Sequence, residues 1–404
     1  MLRDRTFAAL CALILVNQLG FGLITPVLPS FARSFGLDAS SIGLVIGIYG
    51  FARFLANVPA GQLAERGGRR KVLIIGTIIT SVSSALMATA TDLPQLLLYR
   101  LLSGLGAATV LTGGQIMVGD IAPPATRGRM MSLYQGFFLV GVGLGPTPGG
   151  ILADHFGLRA PFIAYAVFSA LACGVALLLI RETRPEPGAR REAEHSTTDA
   201  PPASMAATML TPAFLLIGVV SFAQFFARTG AIFTVIPLLG KEQIGLTASQ
   251  IGIVMSTVSL LTIATLYHSG LWSDRFGRKR VIAPSAIVCG IGIAMFAFSS
   301  SYVMFFASAV FWGLGSGIGG PAPAAYVADL SPAALRGQMF GAFRSLSDCG
   351  YIAGPLLLGW MTDQYGFVPP LLLTAAMFIS SGVLFWILAP EYHDAKRAAA
   401  ATTA

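Results

Sequence analysis

The stretch Gly61 to Leu73, GQLAERGGRRKVL, sets Arg66, Arg69, Arg70 and Lys71 in one short turn between long apolar runs. A second copy, GLWSDRFGRKRVI, runs from Gly270 to Ile282, an offset of 209 residues (270 less 61). The same offset carries Asp120 to Asp329, Pro123 to Pro332 and Arg127-Gly128 to Arg336-Gly337. It also carries Gly145-Pro146 to Gly354-Pro355 and Asp154 to Asp363. So many coincidences at one period mark a duplicated unit, and internal repeats in an apolar chain are a sign of a transporter.

Composition agrees. Of 404 residues, 55% are hydrophobic and 11% charged, too few charges to cover a soluble surface of that size. The net charge of +8 raises the question of nucleic acid, but the basic residues sit in short loops between apolar spans of about 20 residues. That distribution belongs to a polytopic membrane protein and excludes a nucleic-acid partner. Cys11, Cys173, Cys289 and Cys349 each lie singly in an apolar run, so neither a disulfide framework nor a metal site is expected.

Hydropathy marks twelve candidate spans, near 7–29, 41–63, 72–90, 94–118, 131–153, 160–180, 212–239, 248–272, 281–299, 302–327, 338–361 and 368–389. A spanning backbone must satisfy its own hydrogen bonds, so the spans are helices. The first is too long for a signal-peptide core and reads as a retained span. The chain divides into residues 1–180, six spans; 181–210, a linker rich in Pro, Glu, Arg, Ala, Ser and Thr; 211–390, six more spans; and a tail, 391–404. Of the 26 Lys and Arg, 19 lie at the N-terminus, in alternate loops, in the linker and in the tail. The opposite loops hold Arg33, Arg159 and Lys241. The positive-inside rule therefore places both termini and the linker in the cytoplasm.

Four motifs, in order and in the right spans, resemble the major facilitator superfamily and its twelve-span drug/proton antiporters. The first span has LGFGLITPVLP, with Gly20, Pro26 and Pro29 in the family's positions. The loop from Gly61 is similar to the superfamily's basic loop, with Glu65 where an aspartate is usual, while the second copy keeps Asp274. The fourth span has LLLYRLLSGLGAA with the membrane arginine Arg100, and the fifth has GVGLGPTPGG, which matches the motif associated with antiporters. The resemblance covers nearly the whole chain. It implies two pseudo-symmetric six-helix bundles, with spans one, four, seven and ten around a central cavity. It also implies a monomer in a bacterial cytoplasmic (inner) membrane, using a proton as coupling ion and no other cofactor.

The residues carry a physical reading of their own. Gly61, Glu65, Arg66, Gly68, Arg69 and Arg70, with Asp120 and Arg127, can form a cytoplasmic gate. Gly270, Asp274, Arg275, Gly277, Arg278 and Lys279, with Asp329 and Arg336, repeat it. A carboxylate such as Glu65 could accept bonds from a helix N-terminus or from the Arg127 and Arg129 loop. The competing reading is that these charges only set topology. Gly141, Gly145, Pro146, Gly149 and Gly150 suit a bent helix in close contact, with or without a mechanistic role.

Charges at membrane depth are costly, so they are candidates for function. Arg53, Arg100, Arg228 and Arg344 lie within spans, against one mid-span acid, Asp348. Asp348 is about eleven residues into its span, roughly 16 Å deep at helical rise. Arg344 precedes it by four residues, on the same face. Asp348 either couples protons or substrate, or forms a permanent ion pair with Arg344 or Arg228. Asn17, Gln18, Gln115 and Gln224 complete the candidate polar lining, and His268 is a secondary proton candidate. No nucleotide-binding or nucleophile constellation appears, so the chain is not expected to be an enzyme. The leading expectation is a secondary active exporter of small amphipathic compounds. The alternatives are a metabolite importer or uniporter on the same fold, and a non-transporting membrane receptor.

Overall fold

The computed structural model describes residues 4–123, 126–183, 209–332 and 335–391, without the side chains of Tyr267, Arg336 and Gly337. Most of the linker, the tail from residue 392, and Arg3, Arg184, Arg190, Arg191, Lys396 and Arg397 lie outside the described residues. The helices are α1 Arg5–Ile24, α2 Leu28–Arg33, α3 Ala39–Gly67, α4 Arg69–Thr89 and α5 Leu93–Ile121. There follow α6 Arg127–Leu144, α7 Pro146–Phe156, α8 Ala160–Leu178 and α9 Pro212–Phe226, then a π-helix Ala227–Val235 and α10 Ile236–Glu242. The chain continues with α11 Ala248–Phe276, α12 Lys279–Ala297, α13 Tyr302–Gly319, α14 Ala322–Leu330, α15 Arg336–Tyr365 and α16 Val368–Leu388.

All twelve expected spans appear, and eleven are both long and apolar enough to cross a membrane among the described residues. The other is α15, which carries Arg344 and Asp348 in its interior. The first span stops earlier than hydropathy suggests. Pro26 has no N–H to continue the ladder, so α1 ends at Ile24 and the chain restarts as α2. The fifth span is interrupted at Gly145 and resumes with Pro146 at the first position of α7, where its missing donor costs nothing. The seventh carries a nine-residue π-helix that hydropathy cannot register.

Helix starts follow their caps. Asp4, Asp38, Asp92 and Ser301 each accept the amide three residues on, at 3.0, 2.8, 2.9 and 3.3 Å. The hydrogen bonds from Ser41 hold the Asp38 carboxyl below its ordinary 3.8, against burial, which acts the other way. The backbone repeats the duplication. Every described residue with positive φ is a glycine, and the six form three pairs 209 apart: Gly36 and Gly245, Gly68 and Gly277, Gly157 and Gly366. Left-handed φ penalises a Cβ, so these turns require glycine in both copies.

Two compact units result, one of Met1–Ser196 with Gly240–Ser259, the other of Thr197–Leu239 with Leu260–Ala404. The core of the first joins Phe7, Leu10 and Leu13 of α1 to Val110 and Met117 of α5, Tyr134 of α6 and Ala172 of α8. That of the second joins Phe214 and Ile217 of α9 to Ile282 of α12, Tyr326 of α14 and Phe385 of α16. Ile163, Val167 and Leu171, four residues apart on α8, keep more than half their surface exposed, as a lipid-facing stripe requires.

The glycines of the fifth span decide how closely α1 and α6–α7 approach. A Cβ on Gly141 would lie 2.7 Å from the Leu15 carbonyl oxygen, and one on Gly145 would lie 2.6 Å from that of Leu19. One on Gly149 would overlap that of Leu23. Three glycines at four-residue steps thus seat on three carbonyls at four-residue steps. In the second unit Gly350 and Gly354 seat in the same way on Phe222 and Phe226 of α9.

Replacing Gly145 with Leu should cost more than the ~1–3 kcal/mol typical of overpacking, because backbone is the obstacle. Gly136→Ala on the same span meets open space and should not destabilise, gaining up to about 1 kcal/mol of helix propensity. Melting of detergent-solubilised protein, followed by gel filtration, reads both. Asp38→Ala should cost about 1 kcal/mol at pH 7. A lowered carboxyl stabilises above its unfolded pKa and loses that contribution as pH falls through the folded one, so wild type and variant should converge as pH falls below 3.8.

Candidate functional site

Gly68 turns the chain at φ +101° between α3 and α4, and the side chains around it form a closed set. The Arg69 guanidinium donates through Nε to Asp120 at 2.9 Å and through Nη1 to the Ala64 carbonyl at 3.0 Å. Glu182 caps the start of α4, accepting from the Arg69 amide at 2.8 Å and the Arg70 amide at 3.2 Å. Arg70 in turn donates to the carbonyls of Ala176 and Leu177 at the end of α8. Four helices of the first unit are therefore tied at one turn by charge-assisted bonds.

The second unit repeats the plan with changes of partner. Arg278 donates through Nε to Asp329 at 3.2 Å and through Nη1 to Ser273, the counterpart of Ala64, at 3.0 Å. Glu391 accepts from the Lys279 amide at 3.0 Å, and Lys279 Nζ reaches the Ala389 carbonyl at 2.7 Å. Asp274 adds a bond to Arg278 at 2.5 Å. Burial opposes the charge on Arg278, but the hydrogen bonds and charges of Asp274 and Asp329 outweigh it and raise its pKa.

The expected gate residues divide accordingly. Arg69, Asp120, Arg278, Asp274, Asp329 and Lys279 come together, each set within its own unit. Glu65, Arg66, Arg127 and Arg275 are exposed on their helices, with Arg275 lying 5.4 Å from the Phe276 ring centre. Gly61 and Gly270 are half-buried within α3 and α11, and Gly277 repeats the turn of Gly68 at φ +98°. Arg336 begins α15, but its side chain lies outside the described set. Sequence reasoning missed Glu182 and Glu391. They are 209 residues apart, so the repeat itself could have flagged them.

Within the first unit, Arg100 is buried with its guanidinium 4.5 Å from the Tyr49 ring centre and its Nε on the Val45 carbonyl at 3.4 Å. Arg53 approaches the same ring at 5.9 Å. Phe21 stacks on Tyr49 at 5.4 Å. Stacking of a guanidinium on an aromatic face stabilises a cation at membrane depth. Asn17 is buried and donates to Ser169 at 3.4 Å, with Gln18 buried beside it and Gln115 half-buried on α5. Gly20 packs under the Tyr165 ring, and Pro26 and Pro29 are buried around the α1–α2 break.

In the second unit, Arg228 lies in the π-helix, 5.9 Å from the Phe233 ring centre. The next residue, Thr229, donates to the Tyr351 carbonyl of α15 at 2.9 Å. Ser221 and Ser347 share a hydrogen bond at 2.6 Å. These two bonds join α9 and the π-helix to α15 on either side of Asp348, which is half-buried, while Arg344 is exposed. Gln224 lines a cavity of about 10 Å³, room for one water, with Ser285, Cys289 and Gly319. His268 stacks loosely on Trp272, ring centres 6.3 Å apart. All four cysteines are free thiols, and Cys349 is the exposed one.

The Major Facilitator Superfamily profile matches residues 10–248 and 217–403, and the chain belongs to that family. It is 28% identical over 354 residues to the class C tetracycline resistance protein of Escherichia coli, covering 85% of this chain and 86% of that one. It is 25% identical over 382 residues to multidrug resistance protein 2 of Bacillus subtilis (strain 168), covering 93% and 94%. Among solved structures, a D-xylose–proton symporter superposes with a TM-score of 0.76 at 15% identity, covering 96% of this chain and 99% of that one. The fold is thus the major facilitator fold of two six-helix bundles.

The Arg69 and Asp120 side chains are largely shielded, whereas Asp274 is 71% exposed. Asp120→Asn should therefore cost about 3 kcal/mol by stranding Arg69. Asp274→Asn should cost about 1 kcal/mol or less. Melting of the single variants, with the Arg69→Ala/Asp120→Asn double variant closing the cycle, measures the difference.

Proposed function

We propose that this protein exports small amphipathic compounds by alternating access, driven by inward flow of protons. It acts as a monomer in a bacterial cytoplasmic membrane with both termini inside. The observation that carries export is the alignment of relatives named as resistance proteins along 85% and 93% of the chain. The complete antiporter stretch Gly141–Gly150 lies within that alignment, and its Gly141, Gly145 and Gly149 are seated on α1. The fold alone does not set direction, since a proton symporter shares it.

Asp348 is the coupling carboxylate in this reading. It is the one acid in mid-span, on a helix bonded to the π-helical segment that carries Arg228. In this reading a change of surroundings exchanges a proton on Asp348 for an ion pair with an arginine. The arginine released then engages an electron-rich part of the substrate. Arg53 and Arg100, stacked on Tyr49, supply further positive potential.

Asp348→Asn retains size and removes titration. In vesicles with an imposed pH gradient it should lose at least tenfold of the efflux of amphipathic dyes and a tetracycline. Exchange of the same compounds at equal pH should stay within about twofold of wild type, roughly 0.4 kcal/mol. Normal pumping by Asp348→Asn would remove the carboxylate from the coupling step.

A further inference from the structure

The segment Gly240–Ser259 belongs to the first unit, although the residues before it and after it in the chain belong to the second. Three sets of contacts hold it there, all on the face opposite the Gly68 turn. Asp154, at the end of α7, accepts the Ala248 amide at 3.1 Å and the Ser249 amide at 2.8 Å, which are the first two amides of α11. The Thr147 amide donates to Ser256 at 3.1 Å, and Gly150 and Gly252 let the two backbones touch. Arg33 clamps Glu242 through Nε at 2.7 Å and Nη2 at 3.0 Å. Arg33 and Glu242 are 209 residues apart, so equivalent positions of the two repeats carry opposite charges and meet.

Nothing in the antiporter motif or in the gate reading assigns Asp154, Arg33 or Glu242. Their chemistry is that of a releasable contact. A carboxylate on helix amides and a partly exposed bidentate pair each shift an equilibrium by severalfold to about tenfold. Every group involved can be satisfied by water once parted. Such a set biases a two-state element without locking it, as an equilibrium of modest free energy requires.

We propose that Asp154 is a positioning residue of the outer gate. Its carboxylate caps α11 and, with the Arg33–Glu242 pair, holds 240–259 closed on the first unit. These bonds part when substrate leaves on the outer side. This rests on the transport reading above for its purpose, but not for its test.

The test measures gate opening directly. In a Cys349→Ser background, Ser256→Cys places one thiol under the contact, where Ser256 is 5% exposed. Its labelling by a membrane-impermeant maleimide should be at least fivefold faster with Asp154→Ala. Asp154→Asn, which keeps one acceptor oxygen, should give a smaller increase. Arg33→Glu should also accelerate labelling, and adding Glu242→Arg should return it to within twofold. A merely structural role would lower melting temperature without changing the labelling rate of the folded protein. Unchanged labelling in Asp154→Ala, or no rescue in the exchanged pair, overturns the proposal. A parent that moves no compound while these labelling changes hold would sink the export reading alone.

Discussion

The guanidinium of Arg69, set between the Asp120 carboxylate and the Ala64 carbonyl, is the constraint on which the first unit depends. Arg69 lies one residue past a glycine with positive φ, where α3 reverses into α4. The turn leaves orphan amides at the start of α4 and orphan carbonyls at the end of α8. Glu182 satisfies the former and Arg70 the latter. At the edge of a membrane such groups have few other partners, so one short basic turn fixes four helix ends together. The second unit solves the same problem with Arg278, Asp329, Glu391 and Lys279. Where Arg69 donates to the Ala64 carbonyl, Arg278 donates to the hydroxyl of the equivalent Ser273, both at 3.0 Å.

Each cluster ties helix ends of its own unit through charge-assisted bonds. The glycine ladder of α6–α7 on α1 holds helices together by another route. In a bilayer there is little hydrophobic drive between helices, and close backbone approach supplies the packing instead.

The polar residues at membrane depth differ between the units. In the first, arginines stack on Tyr49 and no carboxylate lies in mid-span. In the second, a π-helix carries Arg228 and hydroxyl-to-carbonyl bonds bracket Asp348. Duplication kept the scaffold in both copies and let the interior diverge, the pattern expected when fold and chemistry are under separate demands.

The sequence by itself determined the membrane class, the duplication, the twelve spans and the positions of the mid-span charges. Those properties reside in composition and spacing, which hydropathy and a fixed offset read directly. The fifth-span glycines were legible too as suited to a bent helix in close contact, because small residues at four-residue steps let backbones approach. What the tertiary structure decided is pairing. Asp120 and Glu182 come to Arg69 from 51 and 113 residues away, and no local pattern says which of several carboxylates will arrive. Glu65, in the motif itself, is exposed on α3, while Glu182, outside it, caps α4. The π-helix at 227–235 was invisible for a related reason. It depends on Thr229 bonding to Tyr351 and on Gly230 seating against Gly354, contacts that exist only once α15 is in place.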